Sequence, residues 1–215
     1  MSIKAILLDL DGTLVNTNEI ILQCFEHTLT EKTGSCPPRE ELIKTFGKPL
    51  VEVFAEMDAA KANELIQEYQ RFQQSLDQSK YITLCDHVHE ALDTFKAKGY
   101  KLAVVTSKRH DGAYQNLAQF NLLPYFSAII TYEDTILHKP TGEPAKKALE
   151  LLGVSAEEAI MVGDSNFDIQ CGKDAGTKTA AVAYSAYGEE FLRAFEPDYF
   201  IADLLELAQR LPSLN

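Results

Sequence analysis

Five short runs of β-branched and aliphatic residues constrain this chain more than any other feature: Ala5 to Leu10, Leu102 to Thr106, Ser127 to Thr131, Ala159 to Gly163 and Thr179 to Ala183. They mostly lack the polar alternation of a strand with one wet face, so each reads as a strand buried on both sides. Amphipathic stretches lie between them. Val88, Leu92 and Phe95 recur at helical spacing before Gly99, and Leu149 and Leu152 do so before Gly153. Strands alternating with helices, joined by right-handed crossovers, predict an α/β fold with an open, doubly wound parallel sheet. In such a sheet ligands sit beyond the carboxyl ends of the strands.

One stretch breaks the alternation. From Asn16 to Ser79 every pattern is helical: Ile21, Phe25 and Leu29 step by four, and Gly34 with Pro37-Pro38 stops that helix. Further helical pieces follow around Arg39 to Thr45, Leu50 to Met57 and Ala60 to Leu76. The expected organisation is therefore an α/β core of residues 1–15 and 80–215, with an all-helical cap of residues 16–79 inserted after the first strand. Two crossings join the cap to the core, a layout suited to hinged closure.

Composition bounds the partners. With 215 residues, 46% hydrophobic and 24% charged, the chain has enough apolar material for a core without staples. A net charge of −12 argues against a general nucleic-acid binder, which needs a basic face. Cys24, Cys36, Cys85 and Cys171 are scattered and form no CxxC pair, against both disulfides and a zinc site. The apolar run from Ser2 to Leu10 is too short for a membrane span and no signal peptide is evident, so the expected location is cytoplasmic.

The chemistry-bearing residues fall at the strand ends. The first run closes on Asp9-Leu10-Asp11-Gly12-Thr13, where alternation puts both carboxylates on one side and Gly12 permits a tight turn. The second closes on Thr106-Ser107-Lys108, offering a hydroxyl and exposed amides to phosphate oxygens, or simply a helix cap. His138-Lys139-Pro140 follows the third run; Lys139 is either a point charge for a phosphoryl oxygen or a solvated lysine. The fourth closes on Gly163-Asp164-Ser165-Asn166-Phe167-Asp168, with Asp164 and Asp168 on one face of a starting helix. Each signal alone admits a turn or cap reading; together they converge on one edge.

Four carboxylates at one edge repel. Two like charges about 4 Å apart cost roughly 4 kcal/mol at an effective dielectric of 20, which a divalent cation relieves. With Asp9, Asp11, Asp164 and Asp168 as candidate ligands, all oxygen, the expected metal is Mg2+. The parts predict phosphoryl transfer: Asp9 attacks phosphorus, and Asp11 protonates the leaving oxygen and later deprotonates water. Gly12, Thr106, Ser107 and Lys108 are the candidate substrate contacts.

These four stretches, in this order, resemble the motifs of the haloacid dehalogenase superfamily of phosphohydrolases along the whole chain. The resemblance implies a Rossmann-like core with a helical cap. It also implies Asp9 as nucleophile, Asp11 as acid and base, Thr106, Ser107 and Lys139 on phosphate, and magnesium on Asp9, the Asp11 carbonyl and Asp164, with Asp168 in support. The segments IKAILLDLDGTLVNTNEII, DIQCGKDAGTKTAAVAY and FEPDY are similar to those of the bacterial pyrophosphatase and phosphoglycolate phosphatase group. One departure is Gly142, where relatives carry a second proline; it is expected to loosen that turn.

Substrate choice is expected in the cap, where Arg39, Lys44 and Lys48 gather around Gly47 and either meet a second anionic group or form a solvated basic face. The expected ligand is a small phosphorylated compound, pyrophosphate first and phosphoglycolate or another phosphomonoester second, bound by a monomer or homodimer. A sugar-phosphate mutase and a non-enzymatic phosphoacceptor signalling domain compete with that reading. A dinucleotide-binding enzyme fits poorly, since no GxGxxG follows the first run.

Overall fold

The computed structural model describes residues 2–214. In chain order they form β1 (Ala5–Leu8), β2 (Val15–Asn16), α1 (Asn18–Thr33), α2 (Arg39–Ile43), α3 (Leu50–Met57), α4 (Ala62–Ser75), β3 (Thr83–Leu84), α5 (Val88–Ala97) and β4 (Lys101–Val105). There follow α6 (His110–Gln119), β5 (Ala128–Ile130), α7 (Glu143–Leu152), β6 (Ala159–Gly163), α8 (Asn166–Ala175), β7 (Lys178–Val182), α9 (Glu189–Arg193), β8 (Tyr199–Ile201) and α10 (Leu204–Arg210). Six strands pair in parallel in the order β5-β4-β1-β6-β7-β8.

The apolar runs lack polar alternation because the sheet has two cores. Ile6, Leu8, Leu102, Val104, Ile160 and Val162 face one side, packed with Val88, Leu92 and Phe95 of α5 and with Leu204 and Leu207 of α10. Their neighbours Ala5, Leu7, Ala103, Val105, Ala159 and Met161 face the other, against Ala145, Ala148, Leu149 and Leu152 of α7 and Cys171 and Ala175 of α8. Residues i and i+2 share a face, so each run feeds both layers. The small residues sit under α7 and α8, where Gly172 of α8 comes so near that a Cβ would lie 2.6 Å from Thr179.

Four helices, α1 to α4, occupy the stretch between the crossings. Phe25, Phe54 and Tyr69 form their aromatic centre, with ring centroids 5.3 to 6.0 Å apart. Such tilted and edge-on pairs add about 0.5–1.5 kcal/mol each beyond the area they bury. Gly34, at φ 78°, ends α1 by giving its amide to the Thr30 carbonyl. The two crossings pair with each other as a short antiparallel ladder, Val15 opposite Leu84 and Asn16 opposite Thr83. Neither this ladder nor β8 was legible in the apolar runs.

Gly142 does not loosen its turn. Its amide donates to Asp174 Oδ2 at 2.6 Å, and a Cβ there would stand 2.5 Å from the Ala175 backbone nitrogen. A proline would lose that hydrogen bond and collide with the end of α8. Glycine here is what lets the turn before α7 press against α8.

Candidate active site

The carboxyl ends of β1, β4 and β6 meet at one edge because the three strands are adjacent and parallel. Asp9, Thr106 and Asp164 each follow immediately on the last residue of their strand, and all three are buried. Lys139, only 2% exposed, reaches in from the loop before α7. Its ammonium donates to Asp9 Oδ1 at 2.7 Å, Asp168 Oδ1 at 2.6 Å and the Val105 carbonyl at 3.1 Å. All three hydrogens are thereby used, so the ammonium holds carboxylates rather than standing free for a phosphate.

Asp168 does two jobs. Its Oδ1 takes Lys139, while its Oδ2 accepts from the Ser165 amide at 3.1 Å and the Ser165 hydroxyl at 2.6 Å. The Ser165 hydroxyl in turn caps the Asp168 amide, which makes this the capping box of α8. One residue thus closes the helix cap and reaches the buried lysine.

Asp9, Asp164 and Asp168 each bring a carboxylate oxygen within 4.8 Å of the others. The Asp11 carboxylate is not in that group. It accepts from Lys108 Nζ at 2.8 and 3.0 Å and from the Thr17 hydroxyl at 2.8 Å. Gly12, at φ 80°, passes so close to Asp164 that a Cβ would lie 2.2 Å from its Oδ2; glycine there makes room for the carboxylate as well as for the turn.

Electrostatically the cluster is short of positive charge. Burial, opposed by Lys139 and reinforced by Asp168 and Asp11, raises Asp9 to a pKa of about 7. Burial, then the negative charges of Asp168 and Asp9, holds Asp164 well above the carboxylate range. Burial works to lower Lys139, but the charges of Asp168 and Asp9 outweigh it and raise it above the usual lysine value. Among the described residues no donor bonds the Asp164 carboxylate. An all-oxygen set, buried, with one carboxylate unpartnered and a net negative charge, fits a hard divalent cation.

A cleft of about 450 Å³ opens from this edge and is lined by Asp9, Asp11, Thr106, Ser107 and Lys108, and across from them by Lys48. Thr106 accepts the Lys108 amide at 3.1 Å and keeps its own proton to give. The Ser107 hydroxyl donates to the Gly47 carbonyl at 2.7 Å, a bond from the sheet edge to the loop between α2 and α3. Of the basic trio, Lys48 alone lines the cleft, with both Glu56 oxygens 2.7 Å from its ammonium. Arg39 is committed to Glu19 and Glu26 on α1. Sequence reasoning missed Thr17 on Asp11 and Ser185, whose hydroxyl donates to the Asp164 carbonyl at 2.5 Å. Both are loop hydroxyls with no spacing signal.

Residues 6–182 match the model of the haloacid dehalogenase-like hydrolase family. A Clostridium perfringens protein, provisionally named as the pyrophosphatase PpaX, is 43% identical over 99% of both chains. A pyrophosphatase PpaX from Bacillus cereus is 37% identical over 100% of this chain and 99% of its own. Among solved structures, one described as a predicted phosphatase from Clostridium acetobutylicum superposes with a TM-score of 0.85 at 27% identity, covering 98% of each chain. A haloacid dehalogenase-like family hydrolase from Streptococcus pneumoniae shares the fold, with a TM-score of 0.84 at 24% identity over 96% of this chain and 97% of its own. With the strand-end carboxylates, the buried lysine and the full-length match in agreement, this chain is an enzyme belonging to the haloacid dehalogenase-like hydrolase family.

Proposed function

We propose that this hydrolase cleaves inorganic pyrophosphate to phosphate, with magnesium bound, through an aspartyl phosphate on Asp9. The observation that carries the reading is the Asp9 carboxylate. One oxygen is locked on Lys139, and the other is left without a protein donor at the wall of the cleft. The choice of pyrophosphate rests on the full-length similarity to proteins bearing that name.

In this mechanism Asp9 Oδ2 attacks phosphorus, the bond to the leaving phosphate breaks, and Asp11 gives that oxygen a proton. Asp11 then takes a proton from water, which attacks the phosphoaspartate and frees the second phosphate. Lys139 fixes the attacking carboxylate and brings positive charge to the developing equatorial oxygens. Thr106 donates its free hydroxyl hydrogen to the transferring group, and Ser107 and Lys108 line its path. Asp9 and Asp164 would hold the metal, with Asp168 orienting Lys139; Mg2+ bound there would supply charge neutralisation for the phosphoryl oxygens. Residues 16–79 act as the cap over this cleft.

A second reading follows from the size of the cleft. At about 450 Å³, with Gln70, Gln73 and Gln74 among its lining residues, it has room beyond one pyrophosphate for the organic part of a larger phosphomonoester such as a sugar phosphate. Phosphate release from pyrophosphate, phosphoglycolate, sugar phosphates and nucleotides decides between the two. Magnesium-dependent release led by pyrophosphate and absent from Asp9→Asn is the expected result; turnover surviving in Asp9→Asn overturns the nucleophile. Magnesium should also raise Tm by several degrees at saturation, since a ligand at 100 times its Kd adds about 2.7 kcal/mol. Asp164→Asn should lose that rise, and an undiminished rise would place the metal elsewhere.

A further inference from the structure

The loop between α2 and α3 touches the core at consecutive residues. Tyr187 Oη donates to the Phe46 carbonyl at 2.8 Å, and Ser107 Oγ donates to the Gly47 carbonyl at 2.7 Å. Gly47, at φ 86°, lies so close to the start of α8 that a Cβ would stand 2.7 Å from Ser165 Oγ and 3.0 Å from the Phe167 ring. Lys48 comes next, with its ammonium 5.9 Å from the Phe167 ring centroid. Tyr187 is itself braced: its ring stacks on Phe191 at 4.9 Å, and its amide donates to Ser185 Oγ, the hydroxyl that holds the Asp164 carbonyl.

We propose that Tyr187 is a positioning residue for substrate: with Ser107 it clamps the Phe46 and Gly47 carbonyls to the core, and so seats Lys48 in the cleft to receive the second phosphate of pyrophosphate. The proposal rests on the pyrophosphatase reading and adds a residue that lines neither the cleft nor the acidic cluster. Its physical basis is preorganisation. Lysine loses rotamer entropy when its flexible stem is held in one place, and a short loop adds backbone freedom. Fixing two successive carbonyls removes the backbone share before substrate arrives, so the gain appears in binding rather than in the chemical step. Glu56 completes the seat by holding the ammonium until an anion of higher charge displaces it.

Tyr187→Phe deletes one hydroxyl and keeps the ring stack. Steady-state kinetics with magnesium and pyrophosphate on wild type, Tyr187→Phe, Lys48→Ala and the double variant read the coupling. KM should rise about three- to tenfold in Tyr187→Phe with kcat within about twofold, the scale of one hydrogen bond. In the Lys48→Ala background the same change should have an effect under about 1.5-fold. An equal KM rise in both backgrounds overturns the proposal, because the hydroxyl would then serve the fold and not Lys48. Amide hydrogen exchange gives a readout free of turnover: residues 45–48 should exchange about fivefold or more faster in Tyr187→Phe while the sheet is unchanged. Unchanged exchange there also overturns the clamp. A wild type inactive on pyrophosphate sinks the functional reading, and exchange still decides whether Tyr187 holds the loop.

Discussion

At the scale of single residues, Lys139 carries the most electrostatic weight. Its ammonium is buried with three acceptors, two of them carboxylates, at 2.6 and 2.7 Å. Removing one partner of a buried ion pair costs about 3–5 kcal/mol, because the remaining charges keep their desolvation penalty. Lys139→Met leaves Asp9, Asp164 and Asp168 facing one another with no cation among them. The expected outcome is loss of turnover, together with a drop of that size in urea-unfolding stability measured with chelator present. Stability within about 1 kcal/mol of wild type would mean that the carboxylates protonate without cost, and that Lys139 holds nothing together.

At the scale of elements, the contact between α7 and α8 depends on Gly142 having no side chain. The obstacle to a Cβ is backbone, the Ala175 nitrogen at 2.5 Å, so no rotamer change relieves it. Overpacking of this kind costs about 1–3 kcal/mol. Gly142→Ala should therefore lower Tm by several degrees, at about 2–4 °C per kcal/mol for a chain this long. A thermal melt matching wild type would show that the turn yields freely. The sequence carried a different expectation for this glycine because a proline comparison speaks to local backbone stiffness, and the neighbour that decides the matter is some 30 residues away. The same limit runs through the other elements. The five buried strands were legible because they feed two apolar layers, and α1 and α7 because Gly34 and Gly153 end them. Tyr199–Ile201 was not: it is three residues long, directly follows Pro197-Asp198, and lies at the sheet edge beside β7 alone. At the site, Asp9, Asp164, Asp168 and Lys139 could be placed together from sequence because adjacent parallel strands deliver their ends to one edge. Thr17, Ser185 and Tyr187 act through hydroxyls in loops, whose partners no periodicity encodes.

At the scale of the whole molecule, one surface pair ties the end of the chain to the middle. His87, at φ 58° just ahead of α5, places Nδ1 2.7 Å from Asp203 Oδ2, and Asp203 Oδ1 caps α10 through the Glu206 amide at 2.8 Å. The helices α5 and α10 that these residues begin lie side by side on the core. The bond to Asp203 raises His87 above its ordinary pKa of 6.5, with Glu90 and Asp86 adding to the effect. Burial works to raise Asp203, but the Glu206 amide and His87 outweigh it and bring it below 3.8. The signs follow from linkage. A raised histidine contributes stability that is complete below about 6.5 and disappears as pH climbs through its folded pKa. A lowered aspartate contributes stability that is present above about 3.9 and disappears as pH falls through its folded pKa. The pair is thus strongest between roughly pH 4 and 6.5 and fades above it. His87→Asn tests this while keeping a residue that tolerates the left-handed backbone. The Tm gap between wild type and His87→Asn should be widest near pH 6 and narrow steadily toward pH 8.5. A gap that stays constant over that range would show the imidazole acting as a neutral hydrogen-bond donor, with no charge linking the two helices.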